Sequence, residues 1–172
     1  MLELRPYQES DAKYIVNWVK DETSYHKWCA GKFGKYPLTI EKINDYYKNH
    51  KLEDNFFKMT AFEDNEIIGH FLMRFIDKNN KILRLGFIII NNIKQGKGYG
   101  KKMISLALKY AFEVLKANKV TLGVFENNLA AYSCYKSLGF KEIKEKMRYY
   151  EKKVGEKWLC LEMEFENNLH HI

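Results

Sequence analysis

Proline is almost missing from this chain: Pro6 and Pro37 are the two in 172 residues. No Gly/Ser-rich or single-charge stretch takes its place, so nothing resembles an interdomain linker and residues 1–172 read as one domain. Cysteine is as scarce. Cys29, Cys134 and Cys160 are odd in number and lack C-x-x-C spacing, which argues against a disulfide framework and against a zinc site. The five histidines show no metal-ligand spacing, and His170-His171 falls in a polar tail, so no metal is expected. Long apolar runs are missing too. The longest, Leu85 to Ile90, is far below the ~20 residues a membrane helix needs, and Glu3, Arg5 and Glu9 interrupt the N-terminus before it reaches signal-peptide length. The expected location is the cytoplasm, with reduced thiols and no membrane partner.

What is present is globular usage: 46% hydrophobic and 30% charged residues exclude a disordered or collagen-like chain. A chain of this length buries about two thirds of its unfolded surface, and an aromatic content of 15% makes the core ring-rich. The formal charge of +7 favours anionic partners. Asp and Glu are nevertheless interspersed and no long basic run occurs, so no nucleic-acid partner is expected.

Leu2 to Arg5 alternates as a short strand, and Ser10 can cap a helix whose Ile15, Trp18 and Val19 fall at helical spacing. Residues 21–38, holding Gly31, Gly34 and Pro37, read as a loop, after which Thr39 caps a second helix through Ile43, Tyr46 and Tyr47. Three β-type runs follow at 56–62, 67–76 and 82–90, and the Asp64-Asn65 and Lys78-Asn79-Asn80 turns make them an antiparallel meander. Met103, Ile104, Ala107, Leu108, Ala111, Phe112 and Leu115 form the stripe of a long amphipathic helix. Val120–Phe125 is then a strand and Asn128–Leu138 a short helix stopped by Gly139. Lys141–Tyr150 and Trp158–Phe165 form a hairpin turning near Gly155. The fold class is mixed α/β.

Between a strand and a helix, the segment Lys94 to Lys102 carries Gly96, Gly98 and Gly100. Small residues there let backbone N–H groups approach a phosphate at the positive end of a helix, and Lys94, Lys97, Lys101 and Lys102 add charge. Three glycines can also be nothing more than a tight connection. Rival nucleotide motifs fit worse: a Walker loop needs Gly-Lys-Ser/Thr five residues after its first glycine, and a dinucleotide fingerprint needs glycine where Lys101 stands. A second segment lies downstream, from Glu126 to Phe140. Gln95, Gly98 and Gly100 match the pattern Q/R-x-x-G-x-G/A, and Asn128, Ala131, Tyr135, Gly139 and Phe140 match N-x-x-A-x-x-x-Y-x-x-x-G-F. In this order they resemble the two motifs of the GNAT superfamily of acyl-CoA N-acyltransferases, with the look of its bacterial ribosomal-protein-acetyltransferase-like branch.

The resemblance runs along essentially the whole chain. It implies a mixed, mostly antiparallel central sheet of about seven strands flanked by about four helices. It also implies acetyl-CoA as co-substrate, with the pantetheine arm pairing like a strand against Ile88, Ile89 and Ile90. The pyrophosphate would meet the N–H groups of Gly96, Lys97, Gly98, Tyr99, Gly100 and Lys101, and the Asn128 side chain an amide of the arm. Tyr135 would be the catalytic residue, donating a proton to the departing CoA thiolate. Spacing alone puts Asn128 and Tyr135 on one helical face, roughly 10 Å apart along the axis. A plain helix cap and a core tyrosine are the bland readings of the same pair, and Cys134 reads as a small buried hydrophobe.

Two positions depart from the family. Its base glutamate two residues before the glycine of the fourth strand is Arg84 here, and the alternative on the fifth strand is Gly123. Glu126, His70 or a water chain is left, or an amine that arrives neutral. The implied reaction moves an acetyl group to a primary amine, of a small molecule, peptide or protein, by direct attack, in a monomer or homodimer. The missing glutamates keep a non-catalytic acyl-CoA-binding or regulatory protein as the alternative. Trp28, Phe33, Tyr36, Tyr46, Tyr47, Tyr149 and Tyr150 are either an acceptor wall or ordinary packing, and they do not choose the acceptor.

Overall fold

The alternating runs pair into one sheet. In the computed structural model, which describes residues 1–50, 55–153 and 155–167, the strands are β1 (Glu3–Pro6), β2 (Phe56–Glu63), β3 (Glu66–Asp77), β4 (Ile82–Ile90), β5 (Lys119–Phe125), β6 (Lys141–Glu142), β7 (Arg148–Lys153) and β8 (Glu156–Glu166). They lie in the order β1-β2-β3-β4-β5-β8-β6, with β7 also paired to β8. The α-helices among the described residues are α1 (Ala12–Trp18), α2 (Glu22–Cys29), α3 (Ile40–Asn49), α4 (Tyr99–Lys109) and α5 (Leu129–Leu138). The expected mixed, mostly antiparallel sheet is therefore present, with one strand and one helix more. The His170-His171 reading lies outside the described residues.

Local chemistry accounts for most of the boundaries. Asp64 and Asn65 both take left-handed φ, 49° and 66°, as a two-residue hairpin turn with the twist of its strands requires. Thr39 caps α3 by accepting a hydrogen bond from the Lys42 N–H at 3.2 Å, and Gly139 ends α5 at φ 105°. The loop expected over residues 21–38 instead contains α2. Asp21 caps it by accepting from the Ser24 N–H at 2.7 Å, but its inward stripe is only Tyr25 and Cys29, too short to register as a period. Ser10 is not a cap. A 3₁₀ turn at Glu9–Asp11 precedes α1, and Asp11 accepts from the Gln8 N–H at 2.9 Å. The expected strand over Lys141–Tyr150 is broken by a 3₁₀ turn at Lys144–Lys146 into β6 and β7, both held by β8.

Each sheet face carries its own core. On one side α4 and α5 bring Met103, Ile104, Ala107, Leu108 and Tyr135 onto Leu83, Leu85, Ile90, Val120 and Leu122. On the other, α1, α2 and α3 bury Ile15, Trp18, Tyr25, Ile43 and Tyr47 against Phe87 and Ile89. The switch in β4 from Leu85 to Ile88 on one face, and to Phe87 on the other, is a bulge. Phe87 has φ 49°, and the β3–β4 register slips there by one residue, which reverses the alternation that follows.

Candidate active site

The strands β4 and β5 run parallel but pair only through Ile82–Arg84 and Lys119–Thr121. Beyond that point they part, and the backbone of β4 from Leu85 to Ile90 borders a cleft of about 690 Å³. An unpaired strand edge of this kind offers N–H and C=O groups to any extended chain that can lie along it. Ile88, Ile89, Ile90, Gly96, Gly98, Gly100, Lys101, Asn128 and Tyr135 all line the same cleft. Lys97 and Tyr99 do not. The Tyr99 hydroxyl turns away to donate to Glu63 Oε2 at 2.6 Å, so that residue has only its main chain to offer.

At the far end of the cleft the chain turns through Gly96 (φ 72°) into Gly98 (φ 82°), which starts α4 with no side-chain cap. The first N–H groups of α4 therefore point outward without intrahelical partners, at the positive end of the helix. Across the cleft stands α5. Asn128 caps it, its Oδ1 accepting from the Ala131 N–H at 3.5 Å, which leaves the amide NH₂ for the cleft. Cap and ligand-facing donor are thus compatible roles of one side chain. Tyr135 is 6% exposed, tilted against Phe140, and its hydroxyl makes no hydrogen bond to any described residue. Burial, with a smaller effect of Cys134, pushes its phenol pKa well up. Burial likewise raises the Cys134 thiol, which keeps it protonated and inert.

The departures at the base positions meet in space. Arg84 extends from β4 over Gly123 of β5, and a Cβ there would lie 2.8 Å from Arg84 Nη2. The guanidinium crosses to Glu162 of β8, which pairs with Gly123 across the sheet. Glu162 is 4% exposed. Its Oε1 accepts from Arg84 Nη1, and its Oε2 from Arg84 Nη2 at 3.2 Å and Arg148 Nη1 at 3.3 Å. A glycine stands on β5 because a guanidinium occupies the room, and the one carboxylate nearby is already committed to two arginines. Neither of the other candidates lines the cleft. Glu126 accepts from the Leu159 N–H at 3.2 Å. His70, 1% exposed in the α1–α3 core, is bonded through Nε2 to the Tyr47 hydroxyl at 2.6 Å.

Sequence reasoning missed α2, which spans the open side. Its Trp28 ring lies against Phe87 at 5.8 Å, Lys27 Nζ donates to the Asn127 carbonyl at 3.1 Å, and His26 Nδ1 meets the Tyr150 hydroxyl at 2.7 Å. The element therefore ties β4, the end of β5 and the last hairpin together. The Asp21 cap was its one legible signal.

A sheet opened between two parallel strands, with a glycine turn into an uncapped helix at one end and an Asn/Tyr helix beside it, is the arrangement that the resemblance to the acyl-CoA N-acyltransferases implies. The particular family follows directly. Residues 1–141 match the acetyltransferase (GNAT) domain, and the chain belongs to that family. It is 28% identical over 144 residues to the spermidine N(1)-acetyltransferase of Vibrio cholerae, covering 82% of this chain and 79% of that one. It is also 28% identical over 153 residues to the acetyltransferase PseH of Campylobacter jejuni, covering 87% and 91%. The crystal structure of the V. cholerae enzyme with CoA and spermine superposes with a TM-score of 0.79 at 22% identity, over 96% of this chain and 95% of that one. The chain is thus an acetyl-CoA-dependent N-acetyltransferase acting on a primary amine, and the reading as a non-catalytic acyl-CoA-binding protein is set aside.

Proposed function

We propose that the β4–β5 cleft is where this transfer happens, with Ile88, Ile89 and Ile90 as the strand edge that receives the pantetheine arm. The observation that carries the reading is that the β4 edge, the glycine turn and the α5 helix with Asn128 and Tyr135, three separate segments, line one cleft. Acetyl-CoA supplies an activated acetyl group as its thioester. The main-chain N–H groups from Gly96 to Lys101 hold its phosphates, and the Asn128 amide orients the arm. A main-chain N–H of the parted β4 edge stabilises charge on the acyl oxygen in this reading. Tyr135, kept protonated by burial, supplies the hydrogen bond that the leaving sulfur needs as it gains charge. With Arg84 and Gly123 at the two base positions, no carboxylate among the described residues lines the cleft to deprotonate the acceptor, so the amine attacks in its neutral form.

Cys29, Cys134 and Cys160 are all unpaired, which supports the reducing cytoplasm as the setting. Relatives named for spermidine make a polyamine one acceptor to test, beside small amines and peptides. The test is a thiol-release assay across such an amine and peptide panel, with calorimetric titration of CoA alongside. CoA binding with acceptor-dependent thiol release is expected. Undetectable CoA binding would sink the assignment of the cleft.

A further inference from the structure

We infer that the acceptor is a primary amine bearing an oxyanion, a carboxylate or a phosphate, and not a polycation; this deepens the acetyl transfer proposed above and rests on it. The charged side chains lining the cleft among the described residues are Lys20, Lys27 and Lys101, all of one sign. None of the three is in an ion pair with a described residue. Lys101 belongs to the first turn of α4, at the cofactor end. Lys20 and Lys27 belong instead to the α1–α2 segment, and Lys27 immediately precedes Trp28, whose ring meets Phe87.

No Asp or Glu among the described residues lines the cleft. Glu162, the carboxylate beside Gly123 of its wall, lies between Arg84 and Arg148. A polyamine would bring several ammonium groups beside lysines with no carboxylate to receive them, and like charges so placed disfavour a ligand strongly. Nor does the aromatic wall offer an open cage for a cation, because Trp28 is stacked on Phe33 with their planes 3° apart at 5.1 Å. The groups on offer are donors. Trp28, itself lining the cleft, holds its indole Nε1–H buried with no acceptor among the described residues, and such a group is satisfied by an incoming oxygen. Charge-assisted hydrogen bonds from a lysine and an indole are what a carboxylate or phosphate selects.

Matched pairs of acceptors test this in the thiol-release assay: phosphoethanolamine against ethanolamine, β-alanine against its amide, and spermidine beside both. The expected result is a kcat/KM about tenfold or more higher for one anionic member than for its uncharged partner and for spermidine, narrowing as salt is raised. The phosphate and carboxylate arms separate the two oxyanions. Lys27→Gln is expected to shrink that ratio about fivefold or more without raising the KM for acetyl-CoA. Should no acceptor in the panel turn over, calorimetric titration of the same pairs onto CoA-loaded protein decides, and tighter binding of an anionic member supports the inference. Better turnover of spermidine or of the uncharged members overturns it while leaving acetyl transfer intact. So does a Lys27→Gln effect confined to acetyl-CoA. Absence of CoA binding overturns both.

Discussion

Burial keeps the Tyr135 phenol protonated at neutral pH, so in the role proposed for it this residue is an O–H donor whose help would matter only once the leaving sulfur gains charge. Interactions of that kind act on the transition state and not on ground-state binding. Tyr135→Phe is therefore expected to lower kcat and kcat/KM together by about tenfold or more, with CoA affinity nearly unchanged, as steady-state kinetics and calorimetry would read. Full turnover with chemistry rate-limiting would return Tyr135 to a packing role. Glu162 answers a different question. Its carboxylate lies between Arg84 and Arg148 at 5% side-chain exposure, and its removal would strand the Arg84 guanidinium, whose side chain is 20% exposed. Glu162→Ala should cost about 3 kcal/mol of folding stability in urea titrations. The double variant Arg84→Met/Glu162→Met should recover most of it, because it removes both charges instead of one.

The proposed role of the turn from β4 into α4, holding CoA through its main chain, sets the order of two substitutions. Gly98 sits at φ 82°, where a β-branched side chain is strained, while the Lys102 ammonium lies over the Tyr99 ring at 5.1 Å, away from the cleft. Gly98→Val is expected to weaken CoA by tenfold or more, on the order of 1.4 kcal/mol, and Lys102→Ala by much less, in the same calorimetric titration. Equal affinities would remove the turn from the site. This element was legible in the sequence because glycine spacing records backbone geometry directly, and so were the meander and the α5 stripe, where cap and period agree. The α2 helix was not. Eight residues with one inward pair carry no period, and what holds the helix is tertiary: Tyr25 donates to the Gly34 carbonyl, His26 is hydrogen-bonded with the Tyr150 hydroxyl, and the Trp28 ring packs against Phe87. The single strand expected from Lys141 failed for a related reason, since β8 is long enough to take two partners in succession and pairing partners are not written locally. At the base positions the sequence displayed two losses, Arg84 and Gly123, and concealed that one explains the other through Glu162.

Across the whole molecule the two cores answer acid differently, and the one behind α1–α3 holds the sensitive groups. His70 is buried neutral beside Tyr47 and Tyr7, and desolvation lowers its pKa to about 3. Its unfolded value is near 6.5, so in the unfolded chain it takes up a proton first as pH falls. The stability it confers is complete above about pH 6.5 and declines by ~1.4 kcal/mol per pH unit until about pH 3. Asp11 acts at the acid end of that window and beyond it. Burial pushes its carboxyl up, but hydrogen bonds from Arg5, the Gln8 N–H and Thr60 outweigh burial and hold it below its usual value, so its share is lost only as pH falls through the carboxylate range. The two together predict a long acid slope instead of one sharp step. Urea midpoints at pH 7 and pH 5 check the upper part. Wild type should lose about 2 kcal/mol between them on account of His70. His70→Gln should start lower, since the Tyr47 hydroxyl loses a well-placed partner, yet fall less between the same two pH values. Parallel losses in the two proteins would mean that the titrating group lies elsewhere, with His26 the next to replace, because desolvation lowers its pKa as well.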